Sequence, residues 1–348
     1  MKLTCSKDAL IDRINIVSKA VSSRTTLPVL ECILLTADST NLTLTGSDLE
    51  IGIKSSPISA TVEKEGSVAI EAKLFSEIIR RLNGESVTID ANGNEAVIKC
   101  GFSEFTLMTQ PAEDFPALPE VEKEFSYKIS QPMLRDMINS TIFSVALDES
   151  KPFLTGELIE FKPNSTNIVS VDGFRISYRM TESENSKESK VIVPAKTMRE
   201  ISRILSGEEE KETEIFITDK HILFSINGNT VVSRIIEGDY IKYEQTFTDS
   251  YKTRVVLDRS LLISSLERAS LISRDARKMP VKLEIGGSKI IITSQTEIGK
   301  AYEEVEAAVE GEELKIAFNP RYLIDALKAI EDENVSIQFN SPLGPCII

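Results

Sequence analysis

A chain of 348 residues, 41% apolar and 27% charged, is long enough for two or three domains with real cores. Taken globally, its formal charge of −14 argues against nucleic acid as a partner, and four scattered cysteines with no Cys-x-x-Cys pair suggest neither a disulfide framework nor a zinc site. The charged residues 1–8 are unlike a signal peptide and no stretch nears the roughly 18 apolar residues of a membrane span, so a cytosolic chain with reduced thiols is expected.

The first predicted element is a strand with Leu3 and Cys5 alternating, followed by a helix that places Leu10, Ile14, Val17 and Val21 on one face, with Ser6 at the N-cap. Residues 68–82 again read as a short strand running into an amphipathic helix. Strands at 87–90 and 96–100 flank Asn92-Gly93, a hairpin signal, and the proline-rich stretch 111–119 reads as a linker. The plan then starts over. A strand with Tyr127 and Ile129 leads through Ser130 into a helix, 182–190 is a solvated loop, and 191–205 repeats the strand-then-helix segment. Strands at 214–218, 222–226 and 231–236 surround Asp219-Lys220 and Asn227-Gly228-Asn229, and the polar stretch 246–253 is a second linker. The third round opens with Val255 and Leu257, the cap Asp258 and a helix, continues with strands 281–285 and 289–293 about Gly286-Gly287, and ends on a looser strand-then-helix copy over 314–327.

The equivalent residues Phe75, Met198 and Leu323 lie 123 and 125 positions apart, which is the length of a domain. Leu10, Leu134 and Leu262 repeat at 124 and 128. The chain therefore divides into three similar domains, 1–123, 124–250 and 251–348, each of two related halves with two helices and several hairpins, an α+β fold class.

Charge is sorted between these elements. Residues 7–24 carry Lys7, Arg13, Lys19 and Arg24 against Asp8 and Asp12; 73–82 carry Lys73, Arg80 and Arg81 against Glu77; 195–205 carry Lys196, Arg199 and Arg203 against Glu200. Over all six helical segments the balance is about +9, leaving about −23 for the remainder. Helices tolerate Lys and Arg on any solvated face. Against so acidic a remainder, the pattern also fits one positive surface that attracts phosphates without reading bases.

Several motifs carry a family resemblance: Ser23-Arg24-Thr25-Thr26-Leu27-Pro28-Val29-Leu30, Leu44-Thr45-Gly46-Ser47-Asp48-Leu49-Glu50, Ala112-Glu113-Asp114-Phe115-Pro116, Val169-Ser170-Val171-Asp172-Gly173-Phe174-Arg175-Ile176 and Phe318-Asn319-Pro320-Arg321-Tyr322. Spread over all three repeats, they closely resemble the bacterial DNA polymerase III β subunit family of sliding clamps. The resemblance implies three domains of the DNA clamp fold, helices on an inner face and antiparallel sheets outside, in a ring-shaped head-to-tail homodimer. Twelve helices at roughly 10 Å spacing trace a circle about 38 Å across, and removing about 10 Å of helix thickness leaves room for a duplex.

What the resemblance implies about function is a DNA-replication processivity factor: a cytoplasmic, nucleoid-associated ring that needs no cofactor or metal and has no catalytic residues. It would encircle double-stranded DNA without sequence specificity. Its partners would be the DNA polymerase III alpha subunit, the clamp loader, and other polymerases and repair proteins that bind through short peptides. Arg24 matches a DNA-contacting position, and Lys73, Arg80, Arg81, Lys196, Arg199 and Arg203 are the further DNA-binding candidates. The peptide-binding pocket maps onto Leu154, Val171, Gly173, Arg175, Ile176 and Ile241, although Asp172-Gly173 also suits a plain tight turn. Ile78, Phe105, Leu107, Leu271, Ile272, Glu303 and Glu304 map onto the subunit interface, which would join edge strands at 102–108 and 298–305. The chain departs from the family pattern at Gly238-Asp239-Tyr240-Ile241, at Phe102 and Glu104, and in a third copy that stops short of the family's last strand and apolar tail.

Two other functions are weighed against this one. An enzyme would need a motif, and the sole histidine, His221, sits in an alternating strand pattern as an ordinary half-exposed side chain would. A β-rich scaffold that binds only proteins would leave the sorted helical charge without a purpose.

Overall fold

The computed structural model describes residues 1–22, 25–208, 210–247, 250–273 and 280–348. By contact density the chain divides into two compact units, one of residues 1–138, 148–168 and 180–238 and the other of residues 139–147, 169–179 and 239–348.

Six α-helices occur among the described residues: α1 Lys7–Val17, α2 Ala72–Arg81, α3 Gln131–Asn139, α4 Ala195–Ile204, α5 Arg259–Ser270 and α6 Pro320–Lys328. The first five begin directly where a strand ends and α6 begins one residue later, after Asn319, as the repeated segments require. The starts are fixed by capping. Ser6 Oγ accepts Ala9 N–H at 3.4 Å, Glu71 takes Lys73 and Leu74 N–H at 3.0 and 2.7 Å, Asp258 accepts Leu261 N–H at 2.8 Å, and Asn319 accepts Arg321 N–H at 3.0 Å. At α3 the fully buried Gln131 side chain bonds Glu212 O, Asn227 and Ser206 N–H, tying the helix start to two loops.

The first unit is built on a thirteen-stranded sheet that begins with Tyr127–Ser130. Strands of the first and middle thirds join in it without a break, because Ile51–Lys54 pairs with Asn229–Arg234, Val232 opposite Gly52. Gly52 is required there: a Cβ would stand 2.3 Å from Leu118 Cδ2, where the linker crosses the sheet. The 111–119 linker is thus ordered, and Phe115 is buried against Val29, Leu30, Cys32 and Ala69. The shared ladder explains why three sequence repeats give two units by contact density. Strand Gly156–Lys162 pairs separately with Ser189–Pro194.

The second unit holds two four-stranded antiparallel sheets under α5 and α6. Leu262, Leu266 and Ala269 from α5 and Leu323 and Leu327 from α6 pack on Val281, Leu283, Ile290, Ile292 and Phe339. Each fully buried Leu or Ile is worth about 1.5–3 kcal/mol. The hairpins fall where turn residues place them, with φ of 59° at Gly93, 51° and 77° at Asn227 and Gly228, and 61° at Gly287. At the end of the chain, Cys346–Ile347 pairs with Asn334–Phe339 as a short strand.

Candidate functional site

Helices α2 and α4 present the same two faces. Phe75, Ile78 and Ile79 in α2, and Met198 and Ile201 in α4, are buried, which turns Lys73, Arg80 and Arg81 and then Lys196, Arg199 and Arg203 outward, all exposed. Among the described residues, Lys73, Arg81 and Arg199 have no carboxylate within ion-pair distance. The other three are engaged: Arg80 donates to Asn15 Oδ1, Arg203 bonds Glu200 at 2.6 Å, and Lys196 Nζ bonds Asp48 Oδ2. Lys19 also reaches Glu200, at 3.9 Å. The Lys196 and Arg203 side chains are at least half exposed in these pairs, so each pair is worth about 0–1 kcal/mol and a phosphate can compete for the cation. Arg24 lies outside the described residues.

Asp48 sits in a turn that orients it for this contact. Its Oδ1 accepts Glu50 and Ile51 N–H at 3.0 and 2.8 Å, while Leu49 takes φ 76°. Burial, then Asp48, push the Glu50 carboxyl above its ordinary range, and Lys196 pulls it back.

Of the expected pocket residues, Leu154 belongs to the first unit, where it is 5% exposed on the turn Pro152–Leu154. The others lie in the second unit and centre on Arg175. Asp172 Oδ1 accepts Phe174 and Arg175 N–H at 2.9 and 3.1 Å, with Gly173 at φ 90°, so the tight-turn reading holds. The turn also aims Arg175. Its Nε donates to Asp172 at 3.0 Å, one terminal nitrogen to Asp325 at 2.9 Å and the other to Phe143 O at 2.7 Å. The guanidinium lies 4.5 Å from the ring centre of Tyr322, and Phe174, 80% exposed, lies 5.8 Å from the same ring. Val171 is buried, while Ile241 is 39% exposed beside Tyr240, whose hydroxyl donates to Val169 O. The sequence reading missed Phe143, Phe174, Tyr322 and Asp325 as members of this group. Tyr322 was legible within the Phe318–Tyr322 motif, whereas Asp325 stands 150 residues from Arg175 and carries no local signal.

Gly299–Glu306 in the second unit ends its sheet, whereas Ser103–Gln110 in the first, expected as an edge, pairs with Glu95–Cys100 and also meets Gly66–Glu71 at Thr109 and Gln110. Phe105 and Leu271 are 41% and 50% exposed, whereas Ile78 and Leu107 are each 9% exposed in their own core. Ile272 lies in the short turn Leu271–Ser273. Glu303 bonds Arg268, and Glu304 bonds Lys289 and Tyr302; those hydrogen bonds hold both carboxyls below their ordinary range. Burial, then Arg234 and Lys220, push His221 below its ordinary value. No helix among the described residues is long and apolar enough to cross a membrane.

Models of the DNA polymerase III beta subunit match almost the whole chain: the N-terminal domain over residues 1–119, the central domain over 128–242 and the C-terminal domain over 244–348. The beta sliding clamp of Halalkalibacterium halodurans is 33% identical over 363 residues, covering all of this chain and 95% of its own, and that of Staphylococcus aureus is 34% identical over 360. Among solved structures, a putative DNA polymerase III beta subunit from Eubacterium rectale matches with TM-score 0.94 and 39% identity, covering 99% of this chain and 95% of its own. The DNA polymerase sliding clamp of Bacillus subtilis matches with TM-score 0.94 and 32% identity over 99% and 94% of the two chains. With three clamp domains in family order and a fold shared from end to end, the chain belongs to the DNA polymerase III beta subunit family, the beta sliding clamps.

Proposed function

We propose that two copies of this chain close head to tail into a ring that holds duplex DNA by enclosing it. The observation that carries this reading is the repeated outward face of α2 and α4. Lys73, Arg81 and Arg199 stand there with no ion-pair partner among the described residues, on a chain of net charge −14. Such a face attracts phosphate weakly and without base readout, which permits sliding. The acidic remainder keeps duplex off the other surfaces. Sliding clamps are processivity factors, and nothing in this mechanism needs a catalytic group.

Lys73, Arg80, Arg81, Lys196, Arg199 and Arg203 are the proposed DNA-facing residues. The three domains are proposed as 1–123, 124–250 and 251–348. Leu154, Val171, Gly173, Arg175, Ile176 and Ile241 are the proposed peptide pocket, joined by Phe174 and Tyr322. Through it the polymerase alpha subunit and the clamp loader would gain effective concentration at a primer end. The subunit contact is proposed between strands Ser103–Gln110 and Gly299–Glu306, each paired on one side over most of its length, with Phe105, Leu271 and Ile272 as apolar anchors.

Loading onto nicked circular plasmid followed by linearisation tests the function. A clamp stays on circles and runs off linear ends, an ordinary DNA binder stays on both, and a protein-only scaffold on neither. Retention unchanged by linearisation would sink the sliding reading. Glutamate at Leu271 or Ile272 should give monomers in sedimentation, and a persistent dimer would refute the assigned contact.

A further inference from the structure

Each third of the chain opens with a strand that feeds a helix, and the three strands are anchored alike. Lys7 N–H donates to Glu85 O at 2.9 Å, Gln131 N–H to Lys211 O at 2.8 Å and Arg259 N–H to Glu333 O at 2.9 Å. Antiparallel ladders alternate, so the residues one and three before each anchor turn their backbone groups away from that neighbour. In the first copy those groups meet strand Ile58–Lys64, Thr4 opposite Thr61. In the third copy they meet Ala308–Gly311, Val256 opposite Ala308. In the middle copy, among the described residues, Tyr127–Ser130 pairs with Glu212–Ile217 alone and ends the sheet, leaving Lys128 and Ser130 backbone groups on an open side. The chain that would supply the covering strand runs instead as a loop over 183–188, between strands Ile176–Glu182 and Ser189–Pro194 of one four-stranded sheet.

A groove of about 420 Å³ follows this open edge. Phe125, 37% exposed and packed edge-on against Tyr127, and Met133 supply its apolar lining. Its far wall is fixed, because Asn185 Nδ2 donates to Lys162 O at 2.8 Å and to Ser183 Oγ at 2.9 Å while Asn185 N–H bonds Pro163 O. Glu182, Glu184 and Glu212 line the groove, all exposed and without an ion-pair partner among the described residues. The one cation in the lining, Lys128, already pairs with Glu214 at 3.6 Å. Unsatisfied main-chain groups call for an added strand, and three free carboxylates select its charge.

We propose that this edge is a docking slot for an extended, basic segment of another protein. The segment adds a strand to Tyr127–Ser130, sets alternate side chains against Phe125 and Met133, and turns its cations toward the three glutamates. Nucleic acid is excluded by the same charges.

The test uses the full-length chain and a fluorescein-labelled peptide of sequence Val-Lys-Val-Lys-Val-Lys, with Val-Glu-Val-Glu-Val-Glu as the control. Saturable anisotropy for the lysine peptide alone, with slowed hydrogen exchange at the Lys128 and Ser130 amides, is expected. Lys128→Pro removes an outward N–H and leaves the ladder to Glu212–Ile217 intact, so it should weaken binding about tenfold or more. Glu182→Lys with Glu184→Lys, confined to the far wall, should do the same without touching the thirteen-stranded sheet. Binding that ignores both variants, or exchange unchanged at Lys128 and Ser130, overturns the proposal. So does a rise in the chain's own mass that Lys128→Pro abolishes, since the slot would then take a second copy.

Discussion

Two turns 124 residues apart share one geometry and use it differently. At Asp48 and at Asp172 the aspartate Oδ1 caps the two N–H groups that follow it at positions two and three, and the next residue adopts positive φ. The second oxygen differs in what it holds. Asp48 Oδ2 takes Lys196, an exposed cation on α4, whereas Asp172 Oδ2 takes Arg175, which is 16% exposed and also bound by Asp325 and Phe143 O. One aspartate holds a cation that solvent also reaches; the other closes a cluster around its own. The cation's burial makes the difference, since both aspartates are shielded, at 6% and 12% exposed, while Lys196 is 50% exposed and Arg175 16%.

The largest expected effect follows from that difference. Arg175→Ala leaves Asp172 and Asp325 facing each other without a cation, and should cost about 2–4 kcal/mol in urea denaturation while abolishing peptide binding in the pocket. Arg175→Lys should recover only part of either, since one ammonium cannot reach three acceptors and stack on Tyr322. A stability loss below about 1 kcal/mol would show the two turns to be energetically alike.

Next come the turns themselves. Gly173→Leu should cost about 1–2 kcal/mol through its backbone alone, since no atom lies within 4 Å of a Cβ there. Leu49→Gly, at φ 76° in the other turn, should relieve the same strain and be neutral or stabilising by up to about 1 kcal/mol. Opposite signs at equivalent positions are the outcome to check by thermal melts.

Asp48→Asn keeps the turn acceptor and loses the negative charge that holds Lys196. Stability should change by less than about 1 kcal/mol, while retention on circular DNA should rise modestly. Unchanged retention would show that Lys196 is not a DNA contact.

The smallest effect is a pH dependence. Burial and Asp48 raise the Glu50 carboxyl in the folded chain, so the folded state holds that proton more tightly than the unfolded one. The stability it contributes is present below the unfolded value and is lost as pH rises through the raised one. Glu50→Gln should therefore flatten the stability profile just above pH 4.5 and slightly stabilise the chain at neutral pH. A steeper profile in the variant would reverse the sign and refute the cause.

The helices and hairpins were legible because their signals are local. Phe75, Ile78 and Ile79 fall on one face, and Asn92-Gly93 and Asn227-Gly228 adopt the φ values that their turns demand. The pairs that give the two aspartates their roles were not. Lys196 is 148 residues from Asp48 and Asp325 is 150 from Arg175, and a charge in sequence carries no mark of a partner so distant. The repeat predicted three separate domains but not the ladder joining Ile51–Lys54 to Asn229–Arg234, since edge strands advertise an opening without naming what fills it. The open edge at Tyr127–Ser130 was invisible for the converse reason: an expected loop at 182–190 does not announce that its counterparts elsewhere are strands.

That shared ladder also has a mechanical consequence. Thr230, Val231, Val232 and Ser233 stand opposite Lys54, Ile53, Gly52 and Ile51, so force pulling along these strands loads all four rungs at once instead of one after another. A boundary made this way behaves as a stiff spar, and Leu118 lying across Gly52 braces it from one face.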